Sequence, residues 1–256
     1  MSVKISNNSV LLNTNKKSVF KTFWNQRVLF LFLLPAVVLA IIFNYAPMVG
    51  LVMGFENYKV QHGFFGSEFV GLANFAKFLK DPEFYRALKN TLGISLLRII
   101  FEFPAPIILA ILLDEIKNIK FKRVCQTITY LPHFVSWIIV ATMVYRLVDP
   151  YSGIINIIIQ ALGGQPIEFI RESKYFWGIL ITTSIWKEIG WNSIIYLAAM
   201  SSINPELYSA AMVDGAGKLR RIIHVTLPGI MPTIALMFVM ELGNLVHTNF
   251  DAVFNL

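Results

Sequence analysis

The chain has 256 residues, of which 56% are hydrophobic and 14% charged, with a formal net charge of +7. A soluble domain carries about 25% charged residues, so this composition excludes an ordinary water-soluble globule. The basic residues are spread between apolar runs rather than gathered on one face, which argues against a nucleic-acid partner. The single cysteine, Cys125, excludes an intramolecular disulfide and a cysteine-rich metal site.

In chain order, the polar tail 1–27 comes first and holds Lys4, Lys16, Lys17, Lys21 and Arg27. It is long for the n-region of a signal peptide. The apolar run after it is longer than an h-region and has no small-residue cleavage site, so it is read as a retained membrane helix. A spanning helix needs about 20 mostly apolar residues. Five stretches qualify, near Val28–Leu51, Leu88–Leu113, Val124–Tyr145, Tyr175–Met200 and Gly229–Phe250. Prolines 35, 104, 106 and 132 sit in or near these spans, where neighbouring helices or local distortion can satisfy the freed carbonyls. The segment Tyr151–Gly164 is apolar but short and is expected to pack at the outer surface without crossing.

Lysine and arginine in the loops set the orientation. The tail, the loop with Lys117, Lys120, Lys122 and Arg123, and the loop with Lys218, Arg220 and Arg221 are rich in positive charge. Residues 56–87 balance their cations with Glu56, Glu68, Asp81 and Glu83. The N-terminus is therefore expected in the cytoplasm. The expected fold is all-α, a polytopic transmembrane bundle with five spans here and a sixth expected beyond Leu256. It divides into a tail 1–27, a first transmembrane helix 28–54, an external loop 55–87 and a core 88–256 with a cytoplasmic loop 201–228.

A charge at the centre of a bilayer costs about 2.5–3.5 kcal/mol on insertion scales. Arg98, Glu102, Lys187, Glu188 and Glu241 therefore need partners, either along a polar route or in structural ion pairs between helices. Lys187 and Glu188 point about 100° apart on a helix, so each is expected to pair with another span. Aromatic faces and amides at mid-depth suit a small polar ligand. That makes Trp137, Tyr145, Trp186, Glu188, Trp191, Asn192, Glu241, Asn244 and Asn249 candidates for a substrate path, with packing or an interfacial belt as the alternative for the aromatics. His133 and His247 have no metal-ligand spacing and are read as packing or hydrogen-bonding residues.

The loop Asn204–Pro228 carries the strongest local signals. Asn204 is a good N-cap, Pro205 suits the first helical position and Glu206 complements the helix dipole. Gly215 is placed to end the helix in a left-handed conformation. One face of that helix collects Leu207, Ala210, Ala211 and Asp214 at helical spacing. A second short basic helix with Lys218, Arg220 and Arg221 is expected before Pro228 opens the last span. No GxxxxGK[ST] occurs: Gly215-Ala216-Gly217-Lys218 has Met212 at the upstream glycine position and Leu219 where Ser or Thr belongs, so no phosphate-cradling loop is encoded. No HExxH, GxSxG or Cys-His cluster points to catalysis within the membrane.

The loop resembles the cytoplasmic EAA motif of type I (MetI-like) permease subunits of binding-protein-dependent ABC importers. Ser209-Ala210-Ala211, then Gly215 three residues later, then Val225-Thr226-Leu227-Pro228 after nine more, match its spacing. Ser209 departs from the motif by replacing its glutamate, and Glu206 lies one turn earlier. Pro205-Glu206-Leu207-Tyr208, Phe69-Val70-Gly71-Leu72-Ala73-Asn74-Phe75, Asn90-Thr91-Leu92 and Tyr130-Leu131-Pro132 are similar to the carbohydrate branch, among maltose-type and LplB-like permeases.

The resemblance implies an ATPase-coupling set of Glu206, Leu207, Ser209, Ala210, Ala211, Asp214, Gly215, Lys218, Arg221 and Pro228. It implies a second permease subunit in a heterodimer, two cytoplasmic ABC ATPase subunits that bind ATP and Mg, an external solute-binding protein, a sugar or oligosaccharide substrate, and membrane lipid around the spans. No cofactor is expected on this chain, no enzymatic activity, and a bacterial cytoplasmic membrane location. Non-sugar solutes such as amino acids, phosphate or peptides share the architecture. A membrane enzyme using Glu102, Glu188 or Glu241, or a passive channel, are the alternatives from other classes.

Overall fold

The computed structural model describes residues 26–244 and 250–256. The chain divides into two compact units at Phe84/Tyr85. The first contains α1 (Arg27–Phe55), a 29-residue helix with a π turn at Ile41–Tyr45 and a 3-10 segment at Ala46–Phe55. None of its most apolar window is buried. A helix that is apolar all round and unburied is suited to lipid. After it come a two-residue hairpin, β1 (Glu56–Asn57) against β2 (Glu68–Phe69), and the short helices α2 (Gly63–Gly66) and α3 (Ala73–Phe78). Asn74 on α3 donates its side-chain amide to the carbonyls of Gly54 and Glu56, at 3.2 and 2.9 Å, and so holds α3 to the end of α1.

The second unit is built around α8 (Ser173–Ser201), a helix of 29 residues. Its length, about 43 Å at 1.5 Å per residue, exceeds the hydrocarbon thickness of about 30 Å. Four other helices surround it: α4 (Pro82–Asp114), the α5 (Ile119–Tyr130)–α6 (Trp137–Val148) pair, and α10 (Lys218–Gly243). One core cluster joins Ile107 and Ala110 of α4, Tyr196 and Met200 of α8 and Ile230 of α10. A second joins Ile94 of α4, Leu180 and Ile181 of α8 and Ala252 of the short α11 (Phe250–Asn255).

By length and composition α1, α4 and α10 can each cross a membrane, and the α5–α6 pair can do so as one broken span. Although α8 is long enough, it is less apolar than these. Being central, it buries Thr183, Ser184, Lys187 and Ser193 against protein and needs less lipid-compatible surface.

Two differences from the sequence reading concern these spans. The stretch Val124–Tyr145 is not one helix. A 3-10 turn at Leu131–Phe134 and two extended residues, Val135 and Ser136, intervene, and the α5 and α6 axes bend by 103°. Pro132 supplies the break, because it lacks the N–H that would bond one turn back. The basic segment Lys218–Arg221 is not a separate helix either. It is the first turn of α10, which runs through a π turn at Ile222–Thr226 into the span.

Among the described residues, each of three π turns ends two residues before a proline: Ile41–Tyr45 before Pro47, Arg98–Glu102 before Pro104, and Ile222–Thr226 before Pro228. In each, the next N–H reaches back five residues, as Phe103 N does to Arg98 O at 2.8 Å. Proline clashes with the carbonyl four residues back and offers it no donor. Widening the turn relieves both problems and keeps the helix continuous.

Between α6 and α8 lies α7 (Ile154–Ala161), eight residues long and too short to cross. It is attached by a turn in which the Asp149 carboxylate accepts from Tyr151 N, Ser152 N and Ser152 Oγ at 2.7–3.0 Å. These bonds, chiefly those from the Ser152 N–H and hydroxyl, hold the carboxyl below its usual 3.8. The support this carboxylate gives the turn is therefore complete at neutral pH and lost as pH falls through the lowered value. A carbon-13 NMR titration of Asp149 is expected to give a midpoint below 3.8; one at or above it would contradict this geometry.

Candidate functional site: an intramembrane cavity and an exposed loop helix

A cavity of 690 Å³ opens between α4, α8 and α10. Its polar wall comes from three helices. Arg98 and Glu102 lie on the π turn of α4, Asn192 on α8, and Glu241 and Asn244 at the end of α10. Arg98 is held from two sides: its Nε donates to Glu102 Oε2 at 3.2 Å and its Nη2 to Glu241 Oε1 at 3.1 Å. The second bond ties α4 to α10 and gives the intramembrane charges the partners they require. The apolar wall includes Phe103, Trp191, Met237 and Met240. Aromatic side chains, flexible methionines and a few convergent amides and charges form the usual chemistry of a small-molecule site.

Beside the cavity, α8 meets the α5–α6 break in a second polar cluster. Lys187 is buried, and its Nζ donates to the carbonyl of His133 at 2.7 Å and to Glu188 Oε1 at 3.1 Å. Glu188 Oε2 lies 2.6 Å from His133 Nδ1. An ionised carboxylate only accepts, so Nδ1 is the donor. The His133 ring stacks on Trp191, centroids 4.4 Å apart and planes within 2°, which carries this cluster to the edge of the cavity. Lys187 and Glu188 do pair with another element, as the sequence reading expected. That element is the connector between α5 and α6 rather than the middle of a span, and the two residues also pair with each other.

Of the expected substrate-path residues, Trp191, Asn192, Glu241 and Asn244 line the cavity. Trp137 and Glu188 border a small void of 30 Å³ that shares Arg98 and Glu102 with it. Trp186 faces elsewhere, into an apolar groove between α6, α7 and α8. Five residues turn a helix by about 140°, so Trp186 and Trp191 cannot share a face. Tyr145 is also apart, its hydroxyl donating to the Leu256 carbonyl at 2.8 Å. Asn249 and His247 lie outside the described residues. Tyr196, Met237 and Met240 also line the cavity and are not among the residues expected from the sequence. The spacing Met237, Glu241, Asn244 was the available signal, since it puts all three on one face of α10.

At the far end of α8 the loop helix α9 (Pro205–Val213) folds as its sequence dictates. Asn204 Oδ1 accepts from Glu206 N at 3.0 Å, and Pro205 occupies the first turn. Gly215 has φ +75°, with Gly215 N bonded to Met212 O at 3.1 Å and Ala216 N to Ala211 O at 2.8 Å. This is the paired closure of a Schellman C-cap. Ser209 donates to the Pro205 carbonyl within the helix, and Glu206 lies 3.3 Å from the Asn204 amide. Two contacts fasten the loop to the bundle: the Tyr208 hydroxyl with Thr226 Oγ1 at 3.0 Å, and Lys218 with Glu115 at the end of α4, 3.5 Å apart. Arg221 and Pro228 sit on α10, on either side of its π turn. The outward face stays uncovered: Leu207, Ala210 and Asp214 are exposed, as are Met212 and Val213. An apolar face on a well-capped helix, uncovered among the described residues, is a ready surface for another protein.

Residues 102–249 match the model of the family described as binding-protein-dependent transport system inner membrane component. The chain is 41% identical to Protein LplB of Bacillus subtilis over 88% of its own length and 71% of that protein. It is 40% identical to the polygalacturonan/rhamnogalacturonan transport system permease protein YteP of the same organism, over 90% and 71%. Among solved structures it is similar to a chain of a bacterial ABC transporter involved in import of the acidic polysaccharide alginate, with TM-score 0.83 and 37% identity over 94% of this chain and 80% of that one. This chain belongs to the binding-protein-dependent transport system inner membrane components, the membrane-spanning permeases of ABC transporters.

Proposed function

We propose that this chain forms half of the translocation path of an ATP-driven importer for a sugar or oligosaccharide. The observation that carries the reading is the cavity itself. Trp191 offers a flat apolar face and Asn192 and Asn244 offer amides beside the Arg98–Glu241 pair, the combination that polyhydroxylated ligands require. Relatives named for polygalacturonan/rhamnogalacturonan transport and for import of the acidic polysaccharide alginate support the sugar class. In this reading α9 docks on a cytoplasmic ATPase subunit. α8, which reaches from that loop past the cavity, carries the movement to the site. ATP and Mg belong to two ATPase subunits, a second permease supplies the other half of the path, and an external binding protein delivers the solute. The lysine-rich tail and loops support a cytoplasmic N-terminus. The match of the alginate system in complex with its pentasaccharide-bound periplasmic protein supports the binding-protein partner.

Gly215→Trp tests the coupling. Position 215 has open space around its Cβ but a left-handed backbone, so a side chain there costs about 1–2 kcal/mol locally and the bundle still inserts. The bulky ring obstructs docking. The expected result in proteoliposomes is continued ATP hydrolysis with uptake lost, while Gly215→Asn, which tolerates the left-handed region, retains uptake. Wild-type uptake by Gly215→Trp would defeat the docking role. Ligand screening of the co-purified binding protein tests the sugar class separately. Capture of amino acids or phosphate instead would replace the substrate and leave the coupling intact.

A further inference from the structure

The helix α7 has its polarity reversed. Asn156, the polar residue in its middle, is 1% exposed and turned inward. Its amide nitrogen donates to the carbonyls of Val148, Asp149 and Ile167, at 3.1, 3.2 and 3.0 Å, and its oxygen accepts from Ile167 N at 2.7 Å. These four bonds clamp the segment before α8 onto the turn after α6, and so fix which way α7 faces. The opposite face carries Ile154, Ile157 and Ile158, each 53–55% exposed, and Leu162 at 83%. Their spacing makes one continuous apolar stripe. A stripe of this kind facing water would be an association liability, whereas one facing lipid is stable.

This stripe continues an apolar surface on the α5–α6 pair, which can cross a membrane as one broken span. Ile138, Ile139, Met143 and Leu147 on α6, the second half of that pair, are exposed as well. An apolar groove of 540 Å³ between α6, α7 and α8, floored by residues such as Met143, Leu147 and Ile155, joins the two faces. Charged residues flank α7 in the chain: Arg146 and Asp149 before it, and Glu168, Arg171, Glu172 and Lys174 after it. Tyr151 is 88% exposed in the turn that leads into α7, a residue type favoured at the headgroup level.

We propose that α7 is an interfacial helix. Ile154, Ile157, Ile158 and Leu162 insert among lipid acyl chains at the end of α8 remote from α9, and the Asn156 clamp holds them in that orientation. The helix then anchors the α6–α8 connection to the lipid surface instead of offering it to a protein.

The test uses the assembled transporter in lipid nanodiscs, with Cys125→Ser as background and one bimane-labelled cysteine at a time, at Ile157, Ile158 or Leu162, with Arg171→Cys as the aqueous reference. The expected result is that brominated phosphatidylcholine more than halves the fluorescence at 157, 158 and 162 while iodide hardly affects it, and that Arg171 shows the reverse. Three outcomes overturn the proposal. Preferential quenching of the α7 positions by iodide would place the stripe in water. Insensitivity to both quenchers would mean that another protein subunit covers it. Loss of bromolipid quenching on adding the binding protein would make it a docking surface.

Discussion

A valine at position 190 is expected to separate α8 from the end of α5 and to collapse the second unit. A Cβ built on Gly190 would lie 2.0 Å from the carbonyl oxygen of Thr129, 2.3 Å from its carbon and 2.9 Å from Tyr130 N. All three are backbone atoms, so no side-chain rotation relieves the overlap and the helices themselves must move apart. Overpacking a well-filled site costs about 1–3 kcal/mol and occasionally more. Here the cost should reach or exceed the upper end. The displacement also pulls on the Lys187–His133 bond, because His133 follows directly from α5. The measurement is the yield and thermal unfolding of purified protein for Gly190→Ala and Gly190→Val, with Gly178→Ala as control. Gly178 lies on the same helix and its Cβ would meet nothing within 4 Å, so that substitution should be neutral or stabilise through helix propensity, by up to about 1 kcal/mol. A Gly190→Ala protein that melts with the wild type would refute the close crossing.

The second large effect is expected at Lys187. Lys187→Met removes the donor to the His133 carbonyl and leaves Glu188 with His133 alone. Breaking a buried pair by deleting one partner typically costs about 3–5 kcal/mol, most of it the exposed need of the group left behind. Glu188 retains some solvent access, which places the expected loss at the lower end. Lys187→Met/Glu188→Gln removes the uncompensated charge and should recover a substantial part of the stability. A thermal-unfolding cycle over the single and double variants decides the point. A double variant no more stable than Lys187→Met would show that the charge pair does not dominate. The stacking of His133 on Trp191 adds a functional expectation: both single variants should reduce uptake more than the melting shift alone explains, because Trp191 lines the cavity.

These two sites show how far local sequence reaches. Gly190 carries no signal of its own in a helix of 29 residues, since only the crossing with Thr129 makes it indispensable. The loop helix behaves in the opposite way. Asn204, Pro205 and Gly215 act within a few residues of chain, through capping bonds and one left-handed dihedral, so the start and end of α9 were legible before any fold was known. The three π turns are an intermediate case. Prolines 47, 104 and 228 are plain in the sequence, but a proline in a span can kink, break or widen a helix. Pro132 led to a 103° break, whereas Pro104 and Pro228 left theirs continuous.

Composition, apolar run length and loop charge were enough to determine from the sequence alone that this is a multi-span membrane protein, because the cost of placing polar backbone and charge in lipid acts on every segment independently. The sequence alone also determined the capped loop helix, because its interactions are local. The tertiary structure alone decided which candidates form a site. Trp191, Asn192, Glu241 and Asn244 converge with Arg98 and Glu102, while Trp186 and Tyr145 are turned to other neighbours. Rotation about a helix axis sets that sorting, and it is fixed by packing between helices far apart in the chain, which no residue encodes by itself.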